Sequence, residues 1–206
     1  MKLINFFELN PFPNGKGFVF FAPKQATKKE EVMKIVSFRQ ASKKMVWKCA
    51  MLYCEIWKEP PWNEDFWKPE EVRLEIDQQL QKACAEGFLC VDNEAVKGFT
   101  WAYSVTRKEM EAICGSRRLD VLFPNQHQVF YIDELAVSRF SRRQGIGESL
   151  TRAVLSELKK YGPCLITLRT DKKALAARSL YQKLGFKDLL IEDNEYPDRT
   201  YWVFAL

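Results

Sequence analysis

Histidine is nearly missing: His127 is the only one in 206 residues. It has no histidine partner for a metal and lies in a polar stretch, so it reads as a surface residue. No metal is expected, and a Cys/His nucleophile pair is set aside. CxxC and Cys/His ligand spacings are also absent. Cys49, Cys54, Cys84, Cys90, Cys114 and Cys164 are therefore expected as buried free thiols. No apolar run approaches the roughly 20 residues of a membrane span, so no membrane partner is expected. The opening Met1-Lys2-Leu3-Ile4-Asn5-Phe6-Phe7 lacks a signal-peptide pattern, and a cytoplasmic location is the expectation. Charge of one sign is not concentrated anywhere. The 32 Lys and Arg against 27 Asp and Glu leave a net +5, with bases and acids interleaved, so nucleic acid is not the expected partner. Low-complexity runs and solenoid repeats are absent too.

What remains is an ordinary globular composition, 47% hydrophobic with nine Gly and nine Pro. It is read as one domain over residues 1–206, of mixed α/β (α+β) class. Leu3–Leu9 and Phe18–Phe21 read as strands around a Pro-Asn-Gly loop. Thr27 and Glu30 form a capping box that opens a helical zone from Lys28 to Glu59, broken near Ser42 and ended by Pro60-Pro61. A second helix is expected over Pro69–Glu86, closed by Gly87. Phe88–Val91 and Ala95–Ser104 form a hairpin about Asp92-Asn93-Glu94. Residues 105–128 are irregular, with a helical piece at Lys108–Cys114. Val129–Val137 reads as a strand, Glu148–Tyr161 as a helix, Cys164–Thr170 as a strand, and Asp188–Ile191 with Thr200–Leu206 as a final hairpin.

One junction carries chemistry. The strand Val129–Val137 runs into Ser138-Arg139-Phe140-Ser141-Arg142-Arg143-Gln144-Gly145-Ile146-Gly147, and a helix follows. Unpaired amides and the positive dipole end at a helix start attract phosphate, and glycines let a ligand reach the backbone. The spacing is neither the Rossmann fingerprint nor a P-loop.

Arg142-Arg143-Gln144-Gly145-Ile146-Gly147 resembles the pyrophosphate loop, [Q/R]-x-x-G-x-[G/A], of the GNAT superfamily of N-acetyltransferases. Three further features continue the likeness. Glu134-Leu135-Ala136-Val137 is similar to the end of that family's central strand, Cys164–Thr170 stands where its next strand should, and Leu180-Tyr181-Gln182-Lys183-Leu184-Gly185-Phe186 is similar to its Leu-Tyr-x-x-x-Gly-Phe pattern. One position departs: Ala174 stands where the family usually has Asn, so that side-chain contact to pantetheine is not carried over.

The resemblance implies a twisted mixed β-sheet flanked by helices, acetyl-CoA as cofactor, and direct transfer to an amine in a ternary complex. It implies Leu135, Ala136 and Val137 against the pantetheine, and the backbone of Arg142, Arg143, Gln144, Gly145, Ile146 and Gly147 around the pyrophosphate. It also implies Tyr181 beside the leaving sulfur and a main-chain N–H near Leu135 or Ala136 for the oxyanion. Glu134 is the first candidate for the base and Asp133 the second. Period-2 alternation puts the two on opposite faces unless a bulge intervenes. The acceptor is expected to be a small amine, a polyamine or an aminoglycoside-like compound, with a peptide N-terminus open. Aromatic residues beside carboxylates, Trp62, Trp101 and Tyr103 first among them, suit its cationic form. A non-catalytic acyl-CoA-binding module is the alternative, and a homodimer stays open.

Overall fold

The computed structural model describes residues 33–114 and 128–206. The strands expected at Leu3–Leu9 and Phe18–Phe21, the Thr27 cap and His127 lie outside them. Seven strands form one sheet in the order β1-β2-β3-β4-β5-β7-β6. They are β1 (Lys34–Ser37), β2 (Glu86–Asp92), β3 (Ala95–Val105), β4 (Gln128–Val137), β5 (Cys164–Asp171), β6 (Lys187–Glu192) and β7 (Arg199–Ala205). Among the described residues five α-helices accompany them: α1 (Lys43–Trp57), α2 (Pro69–Gln79), α3 (Arg107–Cys114), α4 (Ile146–Leu158) and α5 (Leu175–Lys183). β4 and β5 run parallel and all other neighbours antiparallel, which makes the mixed sheet that was expected.

Helix starts follow local chemistry. The Ser42 side chain accepts from the Met45 amide at 3.3 Å and caps α1. Pro69 opens α2 with Glu70 and Glu71 in its first turn, where the dipole favours acids.

Two expectations fail. Lys34–Ser37, placed in a helical zone, is a strand, because it pairs along β2 from Val91 to Phe88. The helix from Pro69 stops at Gln79 rather than Glu86, and Cys84 at φ 52° turns the chain into β2. Gly87 does not end a helix. It lies inside β2, where a Cβ would come within 2.8 Å of the Phe38 ring.

The core has two layers. On one face of the sheet, Cys49, Tyr53 and Ile56 of α1 and Val72 and Ile76 of α2 pack on Leu89, Phe99, Trp101, Tyr103 and Tyr131. On the other, Leu150, Val154 and Leu158 of α4 and Tyr181 of α5 pack on Phe130, Ile132, Ile166, Leu168 and Trp202. Cys49, Cys54, Cys90, Cys114 and Cys164 are buried and Cys84 half-buried.

Two irregularities shape the middle of the sheet. β4 and β5 pair only from Gln128–Tyr131 to Cys164–Thr167. Beyond that β4 continues to Val137 and β5 to Asp171, unpaired with each other. The second is a bulge in β4. Trp101 is opposite Glu134, yet Ala102 is opposite Ile132, so Asp133 is the extra residue.

Candidate active site

At the end of β4 a 3-10 turn, Arg139–Ser141, leads to Arg142, to Arg143 at φ 65° and to Gly145 at φ 78°, and α4 begins at Ile146. Gly145 occupies a left-handed conformation in which nothing lies within 4 Å of a would-be Cβ. No side chain caps α4, so its first amides stay turned to the open side of the loop. Gly147 differs from the expectation of ligand approach alone. A Cβ there would meet Leu180 Cδ2 at 3.1 Å, so this glycine also lets α4 lie close to α5.

The arginines are not equivalent. Arg142 donates through Nε to the Val137 carbonyl at 3.2 Å, and its guanidinium pairs with Glu59 at 2.7 Å. Arg143 and Gln144 are exposed. Arg139 lies over the exposed Phe140 ring.

The loop sits beside the gap between β4 and β5, and Leu135, Ala136 and Val137 run along the β4 side of it. Leu135 and Val137 face the α4 layer and Ala136 the α1 layer. Upstream of the bulge the order is opposite, with Tyr131 towards α1 and Ile132 towards α4. The bulge thus brings Asp133 and Glu134 to the same face, which alternation had separated. Asp133 accepts from Trp101 Nε1 at 3.3 Å and from the Tyr103 hydroxyl. Glu134 accepts from the Tyr53 hydroxyl at 3.2 Å, and the Thr100 hydroxyl holds its carbonyl at 2.7 Å.

Both carboxyls are half-buried, surrounded by protein yet partly open to solvent. Burial raises the pKa of Asp133, against the donors of Trp101 and Tyr103. Burial holds Glu134 well above the carboxylate range, the charge of Asp133 adds to this, and the Tyr53 hydrogen bond works against it. Glu75 on α2 is raised by burial and then by Asp133.

Tyr181 is buried, 5% exposed, with its ring against Phe186 and Trp202. Burial pushes its phenol up, and the charge of Glu134 adds to the effect. The two candidates therefore feel each other across the sheet.

The aromatic candidates divide. Trp101 and Tyr103 are core residues, 2% and 4% exposed, whose polar ends hold Asp133. Trp62 is half-buried, stacked at 6.3 Å on Trp57, with Arg199 5.3 Å from its ring centre. Glu64 accepts from Trp67 Nε1 at 2.7 Å. The loop Pro60-Pro61 and Asn63 form, with Lys173, a cleft of about 370 Å³. Lys173 immediately precedes Ala174, from which α5 starts without a side-chain cap.

Tyr53 and Glu75 escaped the sequence reading. Glu75 adjoins the apolar stripe of α2, the one signal it gives. Tyr53 offers only an aromatic at helical spacing from Trp57, and its partner Glu134 lies 81 residues away. Among the described residues no group of three or more His, Cys, Asp or Glu could hold a metal ion. No described helix is long and apolar enough to cross a membrane.

The model of the acetyltransferase (GNAT) family matches residues 49–186. The chain belongs to this family. That stretch runs from α1 to the Phe186 that ends the Leu-Tyr-x-x-x-Gly-Phe pattern, so it contains the loop, both carboxylates and Tyr181. The [ribosomal protein bS18]-alanine N-acetyltransferase of Escherichia coli (strain K12) is 36% identical over 63 residues, 31% of this chain and 43% of that protein. The alignment thus covers less than half of the relative's length.

Two GNAT-like structures share the fold at low identity. Arabidopsis thaliana NAA60 in complex with acetyl-CoA superposes with a TM-score of 0.62 at 16% identity, over 85% of this chain and 99% of that one. The PaiA N-acetyltransferase of Thermoplasma acidophilum in complex with coenzyme A gives 0.60 at 15%, over 84% and 100%.

Proposed function

We propose that the protein transfers the acetyl group of acetyl-CoA to a primary amine, by direct attack in a ternary complex. One observation carries the reading: the β4 bulge brings Asp133 and Glu134 to one face of the strand, beside the stretch where β4 and β5 part and the glycine loop follows. The donor supplies its acetyl group as a thioester. The amides from Arg142 to Gly147 are suited to its pyrophosphate, and Leu135, Ala136 and Val137 to its arm.

Acetyl transfer needs a neutral amine. An ammonium beside the two carboxyls gives one proton to the Glu134 carboxylate, whose proton affinity burial raises. Asp133, which accepts from Trp101 and Tyr103, adds to the proton affinity of Glu134 through its charge. The amine nitrogen then bonds to the carbonyl carbon as the carbon–sulfur bond breaks. Tyr181 delivers a proton to sulfur, the second nitrogen-bound proton passes through solvent to restore the tyrosine, and main-chain N–H groups beside the bulge meet the charge growing on oxygen. The products are the N-acetyl amine and the free thiol, with one proton released through Glu134.

For the acceptor, the carboxylates and the Trp57–Trp62 stack favour a cation over a neutral alcohol. A small amine is the first reading. A peptide N-terminus is the second, favoured by the name of the Escherichia coli relative.

Calorimetric titration with acetyl-CoA, with ADP as control, tests the donor site. Thiol release with a panel of polyamines, amino sugars and alanine-initiated peptides tests the acceptor. Failure to bind acetyl-CoA overturns the reading. Binding without thiol release for any acceptor leaves the non-catalytic acyl-CoA module.

A further inference from the structure

Tyr53 lies on the face of α1 that meets the sheet, 4% exposed. Its ring stacks on Trp57 at 4.2 Å and 10°, on Phe99 at 5.9 Å and 19°, and on Trp101 at 6.5 Å and 13°. Trp67 closes its edge at 5.5 Å, nearly perpendicular. A ring stacked on three aromatic neighbours and closed at one edge is restricted to one rotamer, so its hydroxyl is a fixed point. That hydroxyl donates to Glu134 Oε1 at 3.2 Å.

Glu134 is the more exceptional partner. It sits one residue past a bulge, where strand geometry alone does not set the side-chain direction. Asp133 next to it has two donors of its own, from Trp101 and Tyr103.

We infer that Tyr53 is a positioning residue for Glu134, a hydroxyl on a clamped ring that holds the carboxylate at one angle and favours its ionised form. The inference rests on the proposed acetyl transfer, in which Glu134 takes the acceptor's proton. The groups that face Glu134 are otherwise unhelpful to its charge. From β4 and α2 come Asp133 and Glu75, and from the loop after α1 comes Glu64. Tyr103 of β3, Tyr131 of β4, Tyr181 of α5 and Cys49 of α1 also feel its charge, while Lys82 and Arg169 of β5 act on its neighbour Asp133. Removing the Tyr53 hydroxyl therefore removes the hydrogen bond that works against burial and the acidic neighbours at Glu134.

The test is Tyr53→Phe, which deletes one oxygen and keeps the stacked ring. With carboxyl-13C glutamate in the full chain, the Glu134 signal, assigned by its loss in Glu134→Gln, is titrated by NMR. Its midpoint moves to higher pH in Tyr53→Phe, and an unchanged midpoint overturns the inference. In the acetylation assay kcat at pH 7 falls about tenfold, as expected for one oriented hydrogen bond to a charge. The acidic limb of the pH profile moves up and the KM for acetyl-CoA stays. In a Glu134→Gln background the same change has no further effect on kcat, and additive losses would count against it. The NMR midpoint needs no turnover, so failure of this inference is separable from failure of the acetyl-transfer reading, which acetyl-CoA calorimetry decides.

Discussion

Asp133 and Glu134 are adjacent, share a face and have the same functional group, yet their partners differ, and partners set their roles. Glu134→Gln is expected to lower kcat by roughly 100-fold or more, the scale of general-base catalysis, with acetyl-CoA affinity unchanged by calorimetry. The same substitution should stabilise the fold at alkaline pH. The folded-state pKa of Glu134 lies above its unfolded value. Its contribution to stability is therefore fully present below the unfolded pKa and is lost as pH rises through the folded one. Glu134→Gln should accordingly melt higher than the wild type at pH 8, and this advantage should shrink towards pH 4. A wild type that melts higher at pH 8 would show that burial does not penalise the charge. Tyr181→Phe keeps the packing against Phe186 and Trp202, so its expected loss is in turnover, with the melting temperature held. At this scale the sequence names both carboxylates and the tyrosine but not their geometry. Period-2 alternation assumes an unbroken strand, and one extra residue at Asp133 reverses every side chain after it. Tyr53 is invisible for a related reason, since nothing near it in sequence says that its hydroxyl meets β4.

Elements with strong local signals are the readable ones: Ser42 before α1, Pro69 opening α2, Asn93 in the turn between β2 and β3, and the strand–loop–helix around Gly145. β1 is four residues long, and its strand state comes from β2 rather than from its own composition. The end of α2 is misread because Gly87, a helix stop by type, answers to the Phe38 ring. The loops make their own predictions. Gly145→Ala puts a side chain at φ 78° and should cost about 1–2 kcal/mol. Gly147→Ala asks Leu180 to yield by a few tenths of an ångström and should cost about 1 kcal/mol or less. Thermal melts rank the two, and the reverse order would contradict the loop geometry. The Arg142–Glu59 pair joins the glycine loop to the turn before Pro60-Pro61 with both partners partly exposed. Such pairs are worth about 0–1 kcal/mol, so an arriving phosphate can take the guanidinium. Glu59→Gln should tighten acetyl-CoA binding by up to about fivefold in calorimetry. Weaker binding would mean that Glu59 supports the loop rather than competing for it.

In the middle of the sheet the pairing of β4 with β5 is short. β4 and β5 share four residue pairs, while β3 and β4 share eight. A ligand lodged where the two strands part binds only the folded chain. At 100 times its dissociation constant, acetyl-CoA should add about 2.7 kcal/mol and raise the melting temperature by about 5–10 °C. A thermal shift with acetyl-CoA but not ADP checks this, and equal shifts would put the affinity in the nucleotide alone. The element order was legible as a family pattern, but this short pairing was not, because pairing between distant strands leaves no mark on either one. Its consequence reaches to how such a protein changes over time. A ligand that completes a strand edge is held largely by peptide groups, which every residue type supplies alike. Substitution along Leu135–Val137 can therefore drift while donor recognition persists. The opposite side of β4 works through particular side chains, Tyr53, Trp101 and Tyr103, which hold the two carboxyls in place. One strand thus has a margin that tolerates side-chain change and another that depends on each side chain it carries.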